Sequence, residues 1–121
     1  MYTVTLETGF RACHGLKYAM GDTEPVHWHD WVVRTAVESE QLDKNGLALD
    51  FVYLKEKVDA VTDGLDNNEL EKLNCFAGIN ASAENVARYI FGKLESQIPK
   101  PAKLLSIEVM EAPGCWAKFS R

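Results

Sequence analysis

Two stretches of alternation constrain this chain more than anything else in it. Over residues 2–16 one parity carries Tyr2, Val4, Leu6, Phe10, Ala12, His14 and Leu16, the period of one long strand, straight or bulged. Alternation resumes over 27–38, where His27, His29, Trp31, Val33, Thr35 and Val37 share one face and Trp28, Val32, Arg34 and Ala36 share the other. The segment between them, KYAMGDTEPV, contains Gly, Asp and Pro, breaks any period and must be a loop. The first part of the chain is therefore committed to a sheet.

The pattern then changes period. Asn45-Gly46 marks a turn, and the Asp50 carboxylate is placed to cap a helix beginning at Phe51. Phe51, Leu54, Val58, Val61 and Leu65 recur at helical spacing. Residues 62–81 are rich in Asp, Asn and Gly and form a long connection, with at most a helical turn around Asn68 to Leu73. Connections of that length generally serve a purpose. Ser82 caps a second helix with the stripe Val86, Ile90, Leu94 and Ile98, which Pro99 and Pro101 end. Alternation returns in Leu105, Ile107, Val109 and Glu111, and a Pro113-Gly114 turn leads to a last strand through Trp116 to Ser120, giving a hairpin.

Two strands, a helix, a loop, a helix and two strands make an α+β fold: a four-stranded antiparallel sheet with two helices on one face. A length of 121 residues leaves room for one domain, spanning 1–121. Such a sheet has two open edges, which invite pairing between subunits, so a homo-oligomer is expected. Lys plus Arg number 13 against 18 Asp plus Glu, a net charge of −5, which argues against non-specific nucleic-acid binding. There is no basic segment leading an apolar run at the start and no stretch of 18 apolar residues, so a soluble, cytoplasmic protein with no membrane partner is expected. Cys13, Cys75 and Cys115 have neither CxxC nor zinc-finger spacing and are expected to be buried free thiols.

The chemistry rests on few residues. The only histidines are His14, His27 and His29. Two stand at i and i+2 on one strand face, and the third lies on the inward parity of the adjoining strand. Three neutral imidazoles can converge on a tetrahedral zinc ion and leave its fourth position open, the ligand count of a catalytic site. The alternative is that each simply fills a half-buried strand position, since HxH arises readily by chance. Spacing alone leaves both open.

The residues also carry a resemblance. Phe10 to Leu16 stand as FxAxHxL, His27 to His29 as HxH, Gly46 to Lys55 as GLxxDFxxLK, Ala83 to Ala87 as AENxA, and Glu111 opens EAP. In this order, over essentially the whole chain, they resemble the 6-pyruvoyl-tetrahydropterin synthase and 6-carboxy-tetrahydropterin synthase family. The resemblance implies the tunnelling fold, in which subunits form trimeric barrels that stack into hexamers, with zinc held by three histidines near a subunit interface. By residue matching the ligands are His14, His27 and His29, the substrate is a pterin, and Glu111 binds it. A pterin edge presents an N–H beside an amino group, and one carboxylate accepts both in a fork. Parity places Glu111 on the face of Ile107 and Val109; the alternative is an exposed acid at the strand end.

The chain departs from the family at two places. The catalytic Cys that precedes HxH is absent from Gly21 to Val26, and the LDHxxLN block has Asn67, or Glu69 and Leu70, where the Asp-His pair belongs. If all three histidines bind zinc, none remains as a separate acid or base. Glu24, however, gives ExxHxH, similar to a subgroup in which Glu replaces Cys and the dihydroneopterin side chain is cleaved to 6-hydroxymethyl-dihydropterin. Glu24 is the candidate base for a zinc-dependent lyase; the alternative is a solvated loop acid. Two other functions stay open, a catalytically degenerate pterin-binding homologue and a 6-carboxy-tetrahydropterin synthase of queuosine synthesis.

Overall fold

The two alternating stretches pair with each other along their whole length. The computed structural model describes residues 1–121. In it β1 (Tyr2–His14) runs antiparallel to β2 (His27–Ser39), in register from Tyr2 opposite Ser39 to His14 opposite His27. Even-numbered residues of β1 and odd-numbered residues of β2 therefore face one side: Phe10 lies opposite Trp31, Ala12 opposite His29. β3 (Lys103–Ala112) and β4 (Cys115–Phe119) complete an antiparallel sheet of order β1-β2-β3-β4, with Gly114 at φ 80° supplying the left-handed turn between the last two.

Both helices start where a side-chain oxygen can satisfy a free backbone N–H. Asp50 Oδ1 accepts from Val52 N–H at 2.8 Å and opens α1 (Phe51–Thr62); Ser82 Oγ accepts from Asn85 N–H at 3.2 Å and opens α2 (Ala83–Leu94). Leu54 and Val58 of α1 and Val86, Ile90 and Leu94 of α2 are buried against Trp31, Val33, Val37, Ile107 and Val109 of the sheet. Each such aliphatic side chain contributes about 1.5–3 kcal/mol relative to exposure, which is why one face of the sheet must be covered. No helix is long and apolar enough to cross a membrane.

Several sequence expectations are corrected in detail. Phe51 is exposed rather than part of the apolar stripe, while Leu65, past the end of α1, is buried. A register shift between Ala36 and Val37 sets Leu104 opposite Val37 on the inward face while Ser106 stays opposite Ala36, so Leu105 is only half-buried and strict parity holds from Ile107 onward. β1 ends at His14, two residues short of the alternation. All three cysteines are free thiols, but Cys75 and Cys115 are exposed, and only Cys13 is buried.

Cys13 points to the face opposite His14, yet the long connection covers it. Asn67 N–H donates to Arg11 O at 2.5 Å, Arg11 N–H to Asp66 Oδ1 at 2.9 Å, and Cys13 N–H to Asn68 O at 3.0 Å. Residues 66–69 thus act as a short extra strand on the free edge of β1. The connection also contains two 3-10 turns, Leu70–Lys72 and Asn74–Phe76, where a single helical turn is expected from the sequence. Its purpose is to clamp the end of β1, the end that carries His14.

Candidate metal centre and active site

Register alone brings the histidines together. His14 and His27 are the last pair of the β1–β2 ladder, and His29 is two residues along on the same face. Ring centroids stand 4.8 Å apart for His14 and His27, 5.2 Å for His14 and His29, and 4.4 Å for His27 and His29. Trp31 lies beneath, its ring 5.0 Å from that of His14, and is fixed by Nε1–H donating to Ala12 O at 3.2 Å. From the far end of β3 comes Glu111. One potential ligand atom from each of His14, His27, His29 and Glu111 falls within 4.8 Å of the others.

Backbone carbonyls set the ring tautomers. His14 Nδ1 is 2.8 Å from Ala81 O, and His27 Nδ1 is 2.8 Å from Pro25 O. A carbonyl oxygen only accepts, so both Nδ1 atoms carry the hydrogen, and the Nε2 lone pairs turn toward the shared space. This is how a metal-binding imidazole is ordinarily held, with its second nitrogen tied to a carbonyl. The Nε2 atoms of His14 and His29 are buried and make no well-formed hydrogen bond. Glu111 Oε1 lies 2.5 Å from His14 Nε2 and 3.4 Å from His29 Nε2, too poorly directed to satisfy them. A carboxylate lone pair facing an imidazole lone pair repels unless a proton or a cation stands between them. Burial, followed by the neighbouring His27, lowers the pKa of His29, favouring the neutral ring a cation needs. Three imidazole nitrogens, two of them lacking partners, therefore fit a tetrahedral divalent cation with its fourth position open.

Glu24 stands at the rim. Its Oε1 is 3.6 Å from His27 Nε2 and accepts from Leu16 N–H at 3.4 Å. The loop that carries it is pressed onto the end of β1 at Gly15: a Cβ there would lie 2.6 Å from Glu24 O. Glu24 N–H in turn donates to Leu16 O at 2.8 Å. The loop is thus seated by backbone contacts that hold Glu24 close to His27.

The five residues singled out from the sequence are gathered in one place. The remaining acids considered there are engaged elsewhere: Asp66 accepts the Arg11 N–H, and Glu69 lies 3.6 Å from Lys72 Nζ. Sequence reasoning missed that Glu111 approaches the imidazoles directly, because strand parity fixes a face but not the reach of a side chain. It also missed Glu71, Asn80 and the Ala81 carbonyl, which support the end of β1. An Asn-rich connection hints at backbone capping but does not say which backbone groups are capped.

Comparison with known proteins finds relatives of nearly the whole chain. The family model described as 6-pyruvoyl tetrahydropterin synthase matches residues 3–121. A dihydroneopterin monophosphate aldolase of Pyrococcus furiosus is 30% identical over 108 residues, covering 89% of this chain and 88% of that protein. A Caenorhabditis elegans relative is 31% identical over 88 residues, 72% of this chain and 63% of its own length. The solved structure of C. elegans 6-pyruvoyl tetrahydropterin synthase superposes with a TM-score of 0.84 at 25% identity, over 100% of this chain and 97% of that one. With its sheet, its helices and nearly its whole length matched, the chain belongs to the 6-pyruvoyl tetrahydropterin synthase family.

Proposed function

We propose that this chain is a zinc-dependent lyase that cleaves the side chain of a dihydroneopterin, with His14, His27 and His29 as metal ligands, Glu24 as base and Glu111 as the pterin-binding carboxylate. The observation that carries the reading is the pair of carbonyl-fixed tautomers, which aim the Nε2 lone pairs of His14 and His27 into one space within reach of Glu24. When bound, zinc would lower the pKa of side-chain hydroxyls and polarise a forming carbonyl. Glu24 removes the proton from the hydroxyl on the second side-chain carbon. As that oxygen becomes a carbonyl, the bond between the first and second carbons breaks, and its electron pair stays on the first carbon. Protonation of that carbon completes 6-hydroxymethyl-dihydropterin and releases an aldehyde. The same Glu24, now protonated, is placed to return the proton, so no further histidine is required.

Glu111 is half-buried at the mouth of the cluster and can accept the paired N–H groups of a pterin edge. The named activity of the Pyrococcus relative supports the choice of cleavage over the synthase reaction, as does the lack of a catalytic Cys before HxH. A homo-oligomer of trimeric or hexameric barrels, formed along the open sheet edges, is part of the same proposal.

The test is zinc analysis of the purified protein, followed by incubation with dihydroneopterin and with its mono- and triphosphates, with products identified by mass. The expected product is 6-hydroxymethyl-dihydropterin or its formation with a phosphorylated aldehyde. Glu24→Gln should abolish turnover by a factor of about 10²–10⁴, with zinc content and pterin binding retained. Formation of 6-carboxy-tetrahydropterin would replace this reading with the queuosine-pathway one. Pterin binding with no product from any substrate would leave only a binding protein.

A further inference from the structure

The strongest unassigned group near the site is Glu71. It lies in the 3-10 turn Leu70–Lys72 and is half-buried, on a segment distant in sequence from every residue discussed above as a ligand. Both of its oxygens are used on backbone. Oε1 accepts from Gly15 N–H at 2.8 Å, and Oε2 accepts from Ala81 N–H at 3.0 Å. Gly15 follows His14 in the chain, and Ala81 is the residue whose carbonyl takes the His14 Nδ1–H. One carboxylate therefore ties the backbone that carries the ring to the residue that orients it. Charge-assisted bonds of this kind are stronger than neutral ones, and here they join two segments that have no backbone–backbone hydrogen bond between them.

We infer that Glu71 is a positioning residue for the metal centre: it sets the tautomer and aim of His14 by locking Gly15 and Ala81 at a fixed separation. The inference rests on the metal-site reading proposed above. Without the carboxylate, the Ala81 and Gly15 N–H groups lose their acceptor at a buried position, and the Ala81 carbonyl is free to turn away from Nδ1. The ring then loses its reason to keep the hydrogen on Nδ1. Glutamine at this position would restore only half of the clamp, because its NH2 faces an N–H donor.

Two measurements on Glu71→Ala and Glu71→Gln test this. The first is the ¹⁵N chemical shifts of the His14 ring in metal-free protein, which report the tautomer without reference to activity. In wild type Nδ1 should carry its hydrogen throughout, E71A should show a fraction with Nδ1 bare, and E71Q an intermediate. The second is zinc affinity by chelator competition, expected to fall about 10- to 100-fold in E71A and less in E71Q. Asn80→Ala is the comparison: Asn80 clamps the same connection through Lys17 N–H and O, at 2.8 and 2.9 Å, with no bond to His14 or the Ala81 carbonyl. It should lower thermal stability while leaving zinc affinity within about twofold. An unchanged His14 tautomer in E71A overturns the inference, as does an equal loss of affinity in N80A. If wild type binds no zinc, the metal reading fails, and the tautomer measurement still decides what Glu71 does. Should E71A not fold, E71Q carries both measurements.

Discussion

Replacing Gly15 with alanine isolates the contact that seats the Glu24 loop. The new methyl carbon would stand 2.6 Å from Glu24 O, 3.2 Å from Val26 N and 3.3 Å from Val26 Cα, all backbone atoms that no rotamer change can move aside. Ordinary contact begins at 3.4 Å, so the loop and the end of β1 must part by about 0.8 Å along the shortest direction. The opposing hydrogen bond from Glu24 N–H to Leu16 O, at 2.8 Å, resists that separation. Overpacking of this size costs about 1–3 kcal/mol of stability. More tellingly, His27 follows the displaced segment while His14 does not, and metal–ligand distances tolerate only about 0.2 Å. Gly15→Ala should therefore lower zinc affinity by about tenfold or more, beyond any fall in thermal stability. Chelator competition and thermal unfolding of metal-free protein separate the two. Wild-type zinc affinity together with wild-type stability would refute the reasoning, since the clash would then have been relieved without cost.

Acid should act through His29. Its folded pKa lies below the usual value near 6.5 because the neutral ring is favoured by burial, so the unfolded chain binds the proton more readily. Stability of metal-free protein is then complete above about pH 6.5 and declines as pH falls through the lower folded value, which thermal unfolding across that range would show. Burial, then the Glu69 carboxylate, raises the Cys13 thiol pKa, so alkylation near pH 8 should label exposed Cys75 and Cys115 first, as peptide mass mapping would record. Ile90→Ala removes a fully buried side chain between helix and sheet and should cost about 2–5 kcal/mol in denaturant unfolding, with zinc stoichiometry preserved.

Much of the fold was legible because period and capping are local properties. Asp50 and Ser82 announce the helices through a carboxylate and a hydroxyl that serve their own backbone, and strand parity put His14, His27 and His29 on one face. Parity failed where the ladder itself is irregular, at Leu105, because a bulge follows from how two strands meet and not from either alone. It also misjudged Cys75 and Cys115, whose exposure depends on a connection and a short edge strand without period. The convergence of the three histidines was legible in outline; their tautomers were not, since the Ala81 and Pro25 carbonyls have no side-chain signature. Glu71 is the same case, an acid whose partners are peptide groups brought near only by folding.

The pairing of His14 with His27 closes the ladder, and beyond it the chain leaves the sheet and returns carrying Glu24. Two tasks are thereby separated along the polypeptide: strand register fixes where the rings converge, while the connecting excursion decides which carboxylate is brought beside them. Exchanging the stretch between Lys17 and Thr23 for others of different length would leave that register intact, provided that Gly15 and the Glu24 to His27 return are kept. The architecture thus offers one fixed cluster of rings whose acidic neighbour can be exchanged by altering a single hairpin connection.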